Sequence, residues 1–207
     1  MTIKNKPAAF FTLLIFLLLG LILYENRIPF VEVVIQAGHE GRLTGNTGAQ
    51  SAQYREETWN ILVANHVAKK LQTWGIEVKR MPAKVERVRT TLAVAIHFDG
   101  ANIPCNSGAS VGYPNQNSYH FAQRWREAYS HYFPFTWHED NFTENLKHYY
   151  AYSSIKSEKF LIVELGEITC KKQREWLKPR LEDIASLLAY SIAKELGKSP
   201  PNPSFKD

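Results

Sequence analysis

The sequence predicts an α/β protein: a single domain with a twisted, mostly parallel sheet flanked by helices, preceded by one N-terminal transmembrane helix. Three apolar runs carry this prediction, at residues 33–37, 92–96 and 160–163, and each is typical of a buried strand. A segment with helical apolar spacing lies between the first two, and strand–helix–strand order implies a right-handed parallel crossover. With 207 residues, the chain is long enough for one domain with a full core.

An uncharged, Leu- and Phe-rich run covers residues 8–24. At about 1.5 Å per residue it is just long enough to cross a bilayer core, and Lys4 and Lys6 before it would keep the amino terminus cytoplasmic. No small-x-small cleavage site follows, which favours an uncleaved signal anchor over a cleaved signal peptide. We therefore expect a single-pass protein of the cytoplasmic membrane. Residues 1–30 would hold the cytoplasmic stub, the anchor and a short linker, with residues 31–197 as an extracytoplasmic domain in the periplasm or at the cell exterior.

The first half of that domain alternates strands with one long helix. We expect a first strand over residues 31–36, followed by a loop rich in Gly, Thr, Asn and Ser. Apolar residues recur at helical spacing from Glu56 to Trp74, and Gly75 ends the helix. Strands over residues 76–80 and 92–98 are separated by a connector at 85–91 with room for a short helix.

The second half is less regular. A loop covers residues 99–117 with a short strand near 110–113, and Ser118 is the expected cap of a helix running to about residue 132. Residues 133–158 show no clear periodicity and receive no assignment. A strand at 159–164 and a last helix over 173–196, kinked or divided near Pro179, complete the domain before a Pro-rich tail at 198–207.

Charge and cysteine content narrow the choice of partners. The net charge of +5 and pI near 9.1 favour an anionic partner, but the scattered lysines and arginines argue against nucleic acid. Cys105 and Cys170 each follow a strand end and could form a disulfide in an oxidising compartment, a question that the sequence leaves open. Without a Cys-x-x-Cys pair, these cysteines are poor candidates for metal ligands.

Polar residues follow the predicted strands at the edge where open α/β folds place their ligands. His39, His97 and Glu164 would meet there, and Glu56 begins the adjacent helix. Two histidines and a carboxylate form a usual catalytic zinc set, so Glu56 is the natural third ligand. Glu164 could then move a proton as general acid and base. Each residue also has a plainer interpretation, as a surface histidine or a helix-start charge, although a buried glutamate needs a partner or a function.

Four segments share their order and spacing with one enzyme family. They are Ala37-Gly38-His39-Glu40-Gly41, Arg55-Glu56-Glu57-Thr58, Ala95-Ile96-His97-Phe98-Asp99 and Val163-Glu164-Leu165-Gly166-Glu167. They are similar to Pro-Gly-His-Gly-Gly, Arg-Glu-Lys-Asp, Ser-Ile-His-x-Asn and Val-Glu-x-Gly-Phe motifs. The sequence thereby resembles, over about residues 31–196, the zinc-dependent N-acetylmuramoyl-L-alanine amidases of the type 3 family, which cleave peptidoglycan.

The resemblance implies a complete catalytic site. Zn²⁺ would be held by His39, Glu56 and His97, with Glu164 as catalytic acid/base, and the choice of Glu56 over Glu57 depends on the family's helix register. The substrate would be peptidoglycan or a muropeptide, cut at the amide between the lactyl group of N-acetylmuramic acid and L-alanine. The membrane would be contacted through residues 8–24, and the sequence identifies no activator protein.

The sequence departs from the family pattern beside the site. Glu40, Asp99 and Glu167 replace a Gly, an Asn and a Phe, and Ala95 replaces a Ser, so we expect a more acidic site. Two alternatives therefore stay open. One is a related zinc hydrolase of another N-acyl or peptide amide, and the other is a non-catalytic wall-binding or regulatory domain of the same fold. An anchored phage-type lysin is disfavoured by the strongly apolar anchor.

Overall fold

One five-stranded sheet forms the centre of the computed structural model, which describes residues 6–25 and 27–203. Its strands are β1 (Phe30–Ala37), β4 (Val78–Met81), β5 (Val88–Asp99), β6 (Ala109–Gly112) and β7 (Ile155–Glu167), and a hairpin of β2 (Gln50–Ser51) and β3 (Tyr54–Arg55) stands apart. The sheet order is β4-β1-β5-β7-β6. All neighbours are parallel except β6, which runs antiparallel to β7. The predicted mostly parallel sheet is confirmed.

Helices cover both faces of the sheet unequally. The α-helices of the described residues are α1 (Lys6–Glu25), α2 (Glu56–Thr73), α3 (Gln116–Ser130), α4 (Glu144–Lys147), α5 (Lys171–Leu177) and α6 (Leu181–Glu195), and those from α2 onward pack on the sheet or beside it. The larger apolar cluster joins one sheet face to α2, α3 and α6. The smaller cluster joins the other face to α4 and to the 3₁₀ turn at Tyr150–Ser153. This second face thus has a thin cover, built from the segment that showed no periodicity.

Two details of the elements differ from the sequence prediction, and a third agrees with it. The connector expected at 85–91 instead ends in strand, because Val88 and Thr90 are buried and pair with β7. Helix α3 is capped by Asn115 rather than Ser118, since the Asn115 side chain accepts from the Ser118 N–H. The Ser118 hydroxyl is buried instead and accepts the N–H of Phe160 at 3.0 Å. The division expected near Pro179 is confirmed, because a 3₁₀ turn separates α5 from α6.

Helix α1 coincides with the segment for which the sequence predicts a transmembrane helix. Its large apolar side chains between Phe10 and Leu19 are exposed. Within residues 6–25 and 27–203, however, no helix combines the length and apolarity needed to cross a membrane. The transmembrane helix is therefore not supported by the structure and stays a prediction. Lys4, which entered the orientation argument, lies outside the described residues.

The loop between β5 and β6 is tied to the end of β7 by a buried carboxylate and a disulfide. Cys105 and Cys170 form that disulfide, which the sequence had left open. The fully buried carboxylate of Glu167 accepts the backbone N–H groups of Cys105 at 2.8 Å and Ser107 at 2.7 Å, and the Thr169 hydroxyl donates to it as well. Glu167, one of the departures from the family pattern, therefore organises this loop.

Removal of that carboxylate should destabilise the fold. In Glu167→Ala the buried N–H of Ser107 loses its acceptor, so we expect the free energy of unfolding to fall by about 1–3 kcal/mol. Glu158→Ala is the control, because Glu158 lies on the same strand but is exposed. Thermal and urea unfolding would measure both variants. Equal stability of the two variants would contradict the role assigned to Glu167.

Candidate metal centre

Strand register brings His97 and Glu164 side by side. These two residues pair directly between β5 and β7. Alternate residues of a strand share a face, and the residues two before them, Ala95 and Ile162, belong to the second apolar cluster. His97 and Glu164 therefore lie on the thinly covered face, near the carboxyl ends of their strands. His39 lies just beyond the end of β1, as the sequence predicts.

The carboxylate of Glu56 lies between the two imidazoles. Its Oε1 is 3.1 Å from Nε2 of His39 and 3.0 Å from Nδ1 of His97, and all three residues are buried. The same Oε1 receives the Asn60 amide at 3.2 Å, while Oε2 accepts the N–H of Ala49 at 2.7 Å. The first residue of α2 thus presents its carboxylate in one fixed orientation.

A glycine at position 38 makes room for the His97 ring. A Cβ on Gly38 would lie 2.1–2.5 Å from three atoms of that imidazole, which is well inside van der Waals contact. The carbonyl of Gly38 accepts the Asn60 amide at 3.0 Å, which ties the end of β1 to α2. This glycine is therefore needed for close approach rather than for an unusual backbone angle.

A hydrogen bond to the backbone determines which nitrogen of the His39 ring carries the hydrogen when the ring is neutral. Nδ1 of His39 lies 2.9 Å from the carbonyl oxygen of Asn46. Because a carbonyl can only accept, Nδ1 carries a hydrogen. In the neutral ring, Nε2 is then unprotonated and directs its lone pair at Glu56. A carboxylate oxygen and an imidazole lone pair this close require a positive charge near them.

The donor set fits a zinc ion. One ligand atom from each of His39, Glu56 and His97 lies within 4.8 Å of the other two. Tetrahedral zinc with bonds of about 2.0–2.1 Å separates its ligand atoms by about 3.3 Å, close to the two short distances seen here. Two imidazoles and one carboxylate also leave a fourth position for water or substrate, which is the pattern of catalytic rather than structural zinc.

The pKa values of His39, Glu56 and His97 reflect the same need for positive charge. Burial lowers the pKa of His39, but hydrogen bonding and attraction to Glu56 outweigh it, so the net pKa is raised. Burial would raise the pKa of Glu56, but the two histidines hold it well below its ordinary value. For His97 burial dominates, and its pKa is lowered despite Glu56.

Glu164 faces the same cavity, of about 390 Å³, as His39, Glu56 and His97. Its Oε2 is buried and has no hydrogen-bond partner among the described residues. Burial first, and then the charges of Glu56 and Asp99, raise the pKa of Glu164 well above its ordinary value. The structure thus brings together all four residues that the sequence singles out, and Glu164 is suited to hold a proton.

Other residues of the cavity were missed by the sequence analysis. They are Arg42, Asn46, Gly48, Ala49, Phe98, Gly100, Asn145, Tyr149 and Tyr150. Asn145, Tyr149 and Tyr150 belong to the segment without periodicity, and no local signal marks them. The Arg42 guanidinium lies over the Tyr150 ring at 5.2 Å and donates to the Asn46 carbonyl at 3.2 Å.

The three acidic departures have different positions. Glu40 forms an ion pair with Arg80 at 2.7 Å and is not among the residues that line the cavity. Glu167 is likewise absent from the lining and serves the loop described above. Asp99 does line the cavity, where its carboxylate accepts from the Ser107 hydroxyl and from the N–H of Gly100. Burial first, with the charge of Glu56, raises its pKa. Of the three acidic departures, Asp99 alone therefore adds a carboxyl group to the cavity.

Comparison with known proteins gives one family. A family model described as N-acetylmuramoyl-L-alanine amidase matches residues 33–197. No curated protein sequence matches the chain.

Solved structures of amidases share the fold. The catalytic domain of CwlV, an N-acetylmuramoyl-L-alanine amidase from Bacillus (Paenibacillus) polymyxa var. colistinus, superposes with a TM-score of 0.65 at 18% identity, covering 83% of this chain and 100% of that one. AmiC2 of Nostoc punctiforme gives 0.62 at 21% identity, with coverage of 81% and 98%. CwlD of Clostridioides difficile, solved in complex with the GerS lipoprotein, gives 0.61 at 16% identity, with coverage of 81% and 98%. At these identities the likeness establishes the fold.

Substitution of Gly38 should weaken metal binding at the proposed site. In Gly38→Ala the new methyl group displaces the His97 imidazole, so we expect zinc affinity to fall by about 100-fold or more. Gly20→Ala is the control, because a Cβ there would meet no atom within 4 Å. Chelator competition measures both affinities, and circular dichroism checks folding. Unchanged zinc affinity in a folded Gly38→Ala protein would contradict the site.

Proposed function

Because the chain belongs to the N-acetylmuramoyl-L-alanine amidase family, we propose that it hydrolyses the amide between N-acetylmuramic acid and L-alanine in peptidoglycan or its fragments. One observation carries the proposal. Electron-pair donors from His39, Glu56 and His97 converge in a cavity that also contains the buried carboxyl of Glu164. That combination is the one that amide hydrolysis at a metal centre needs.

In this proposal His39, Glu56 and His97 would hold Zn²⁺, with Nε2 of His39, Oε1 of Glu56 and Nδ1 of His97 as the atoms that face one another. When bound, zinc supplies Lewis-acid polarisation of a carbonyl and a nucleophilic water at neutral pH. The protein's part is to keep the three ligands oriented before metal arrives. Asn46 orients His39, while Ala49 and Asn60 orient Glu56. Such fixed partners around ligands raise both affinity and precision of geometry.

Glu164 is the proposed general acid and base. As a carboxylate it takes a proton from the attacking water, and as a carboxylic acid it gives that proton to the departing amine of L-alanine. Its raised pKa suits the second role, because a buried carboxyl holds the proton until a basic amine develops. The pairing of Glu164 with His97 across neighbouring strands keeps this carboxyl beside the ligand set.

The structure weakens the motive for a related hydrolase with another substrate. Among the departures that prompt this alternative, Glu40 pairs with Arg80, and Glu167 accepts from the loop between β5 and β6. Neither carboxylate lines the cavity. The proposed substrate therefore remains peptidoglycan or a released muropeptide.

We also propose that the domain works outside the cytoplasm. The Cys105–Cys170 disulfide supports this location, because such bonds persist in oxidising compartments. The exposed apolar side chains between Phe10 and Leu19 provide a surface of the kind that contacts membranes or other proteins. The anchoring of residues 8–24 in the cytoplasmic membrane remains part of the proposal.

Substitutions at the two neighbouring glutamates and at Glu164 separate metal binding from proton transfer. We expect Glu164→Gln to keep about one zinc per chain and to lose about 10²–10⁴-fold in the rate of stem-peptide release. Glu56→Gln and His97→Ala should lose both zinc and activity. Glu57→Gln is the matched control and should keep both, because its carboxylate accepts from the N–H of Gly41 and pairs with Arg55 instead.

Metal analysis and mass spectrometry of released peptides give the two readouts for the full chain. Zinc binding without release of stem peptides would contradict the substrate. Full activity in Glu164→Gln would contradict the role of that residue, and zinc loss in Glu57→Gln would contradict the choice of Glu56.

The proposed location has a separate test. In intact cells, Cys105 and Cys170 should resist alkylation until a reductant is added, and the chain should sediment with membranes. Deletion of residues 1–24 should release it from that fraction. Thiols that react without reductant, or a chain found in the soluble fraction, would contradict an anchored extracytoplasmic domain.

A further inference from the structure

Tyr149 contacts His97, one of the proposed metal ligands, on the side of the ring opposite Glu56. Its hydroxyl oxygen lies 3.0 Å from Nε2 of His97, and the two rings meet edge to face at 5.6 Å between centroids. Nδ1 of the same imidazole faces Glu56. Tyr149 is only 4% exposed, so bulk water does not compete for this contact. The His97 ring is therefore held at both nitrogens.

A chain of hydrogen bonds leads from Tyr149 to a backbone carbonyl. Because that carbonyl can only accept, it determines which partner donates in each bond of the chain. The Tyr150 hydroxyl donates to the carbonyl oxygen of Ala83, which can only accept. Having spent its hydrogen, the Tyr150 oxygen accepts from Nε2 of Gln36 at 2.6 Å. The same Gln36 nitrogen lies 3.5 Å from the carbonyls of Pro82 and Ala83, and two acceptors on that side favour this orientation of the amide over the flipped one.

The same direction continues to the histidine. With its nitrogen turned toward Tyr150, Gln36 presents Oε1 to Tyr149 and accepts that hydroxyl hydrogen at 2.8 Å. Tyr149 has no second hydrogen, so toward His97 its oxygen can only accept. Nε2 of His97 must then carry the hydrogen, and in the neutral ring the lone pair is on Nδ1, the atom that faces Glu56.

We propose that Tyr149, held by Gln36 and Tyr150, is a positioning residue that locks the tautomer of His97 and so makes Nδ1 the metal-binding atom. This inference rests on the metal site of the proposed function and deepens it. His39 is locked in the opposite sense, with its hydrogen on Nδ1 toward Asn46. The two rings thus present different nitrogens to one point.

The hydrogen-bonded residues Gln36, Tyr149 and Tyr150 lie on the thinly covered face of the sheet. Gln36 lies on β1 and is fully buried, while Tyr149 comes from the segment that packs over that face against Phe160 and Tyr152. Because Gln36 and Tyr149 are buried and each hydrogen bond in this network directs the next, loss of one member should change the hydrogen bonding of His97. Partners of this kind typically change metal affinity by about 10–100-fold.

Two phenylalanine variants of the full chain test the proposal. Tyr149→Phe removes the hydroxyl that accepts from His97, and we expect zinc affinity to fall by about 10–100-fold in chelator competition. Tyr152→Phe is the matched control. Its hydroxyl donates to the carbonyl of Leu146 at 2.9 Å, outside the chain of hydrogen bonds, so affinity should stay within about twofold of the parent.

A tautomer measurement adds a readout that general packing would not move. In the metal-free parent at about pH 8, where histidine is ordinarily neutral, two-bond ¹H–¹⁵N spectra should show the hydrogen of His97 on Nε2. Gln36→Met keeps Tyr149 but releases its hydroxyl hydrogen to point at His97. We expect this variant to show a mixture of tautomers and a similar loss of zinc affinity.

The outcomes separate the lock from the enzymatic activity. A parent with the hydrogen on Nδ1, a Tyr149→Phe protein that binds zinc as the parent does, or a parent that binds no zinc would each overturn the proposal. If Tyr149→Phe and Gln36→Met weaken zinc binding as expected but the parent releases no stem peptide, the lock stands. The proposed substrate alone then fails.

Discussion

A buried carboxylate oxygen that lies between two imidazole nitrogens is the constraint on which this structure depends. Oε1 of Glu56 is 3.1 Å from one histidine and 3.0 Å from the other. Nδ1 of His39 faces the carbonyl of Asn46, and Nε2 of His97 faces the hydroxyl of Tyr149, so in the proposed tautomers the neutral rings direct their lone pairs toward that oxygen. Two imidazole nitrogens and a carboxylate oxygen this close to one another need a positive charge nearby, and this need supports the proposed metal site.

The parallel sheet explains how separate parts of the chain reach this point. The carboxyl ends of parallel strands lie at one edge of the sheet, which brings His39 and His97 together. Because side chains alternate between the two faces along a strand, Gln36 and Glu164 lie on the same face as His97. Helix α2 begins at that edge and contributes Glu56. One sheet face carries the large apolar core, while the other is lined with polar groups near its end and covered by a short irregular segment.

The sequence predicts the centre of the site well because its residues follow strand and helix ends. His39, His97 and Glu164 each come at or just after an apolar run. Strand ends and helix starts of this kind are local patterns. The choice of Glu56 over Glu57 came instead from the resemblance to the amidase family, and the structure places only Glu56 between the two histidines.

The surrounding residues could not be found in this way. Tyr149 and Gln36 are 113 positions apart, and they meet only because a segment without periodicity folds over the sheet. Nothing local indicates that Glu40 pairs with Arg80 or that Glu167 binds the N–H groups of a loop. Next to a motif, a carboxylate resembles a functional group whether or not it faces the cavity.

Zinc-dependent release of stem peptides is the measurement that tests the central claim most directly. The full chain would be stripped of metal with a chelator, and zinc would be added back stepwise in the presence of peptidoglycan. The proposed site predicts that peptides beginning with L-alanine appear in proportion to bound zinc and reach a plateau at about one equivalent. Release from the metal-free chain, or one equivalent of bound zinc with no release, would contradict a zinc amidase built on His39, Glu56, His97 and Glu164.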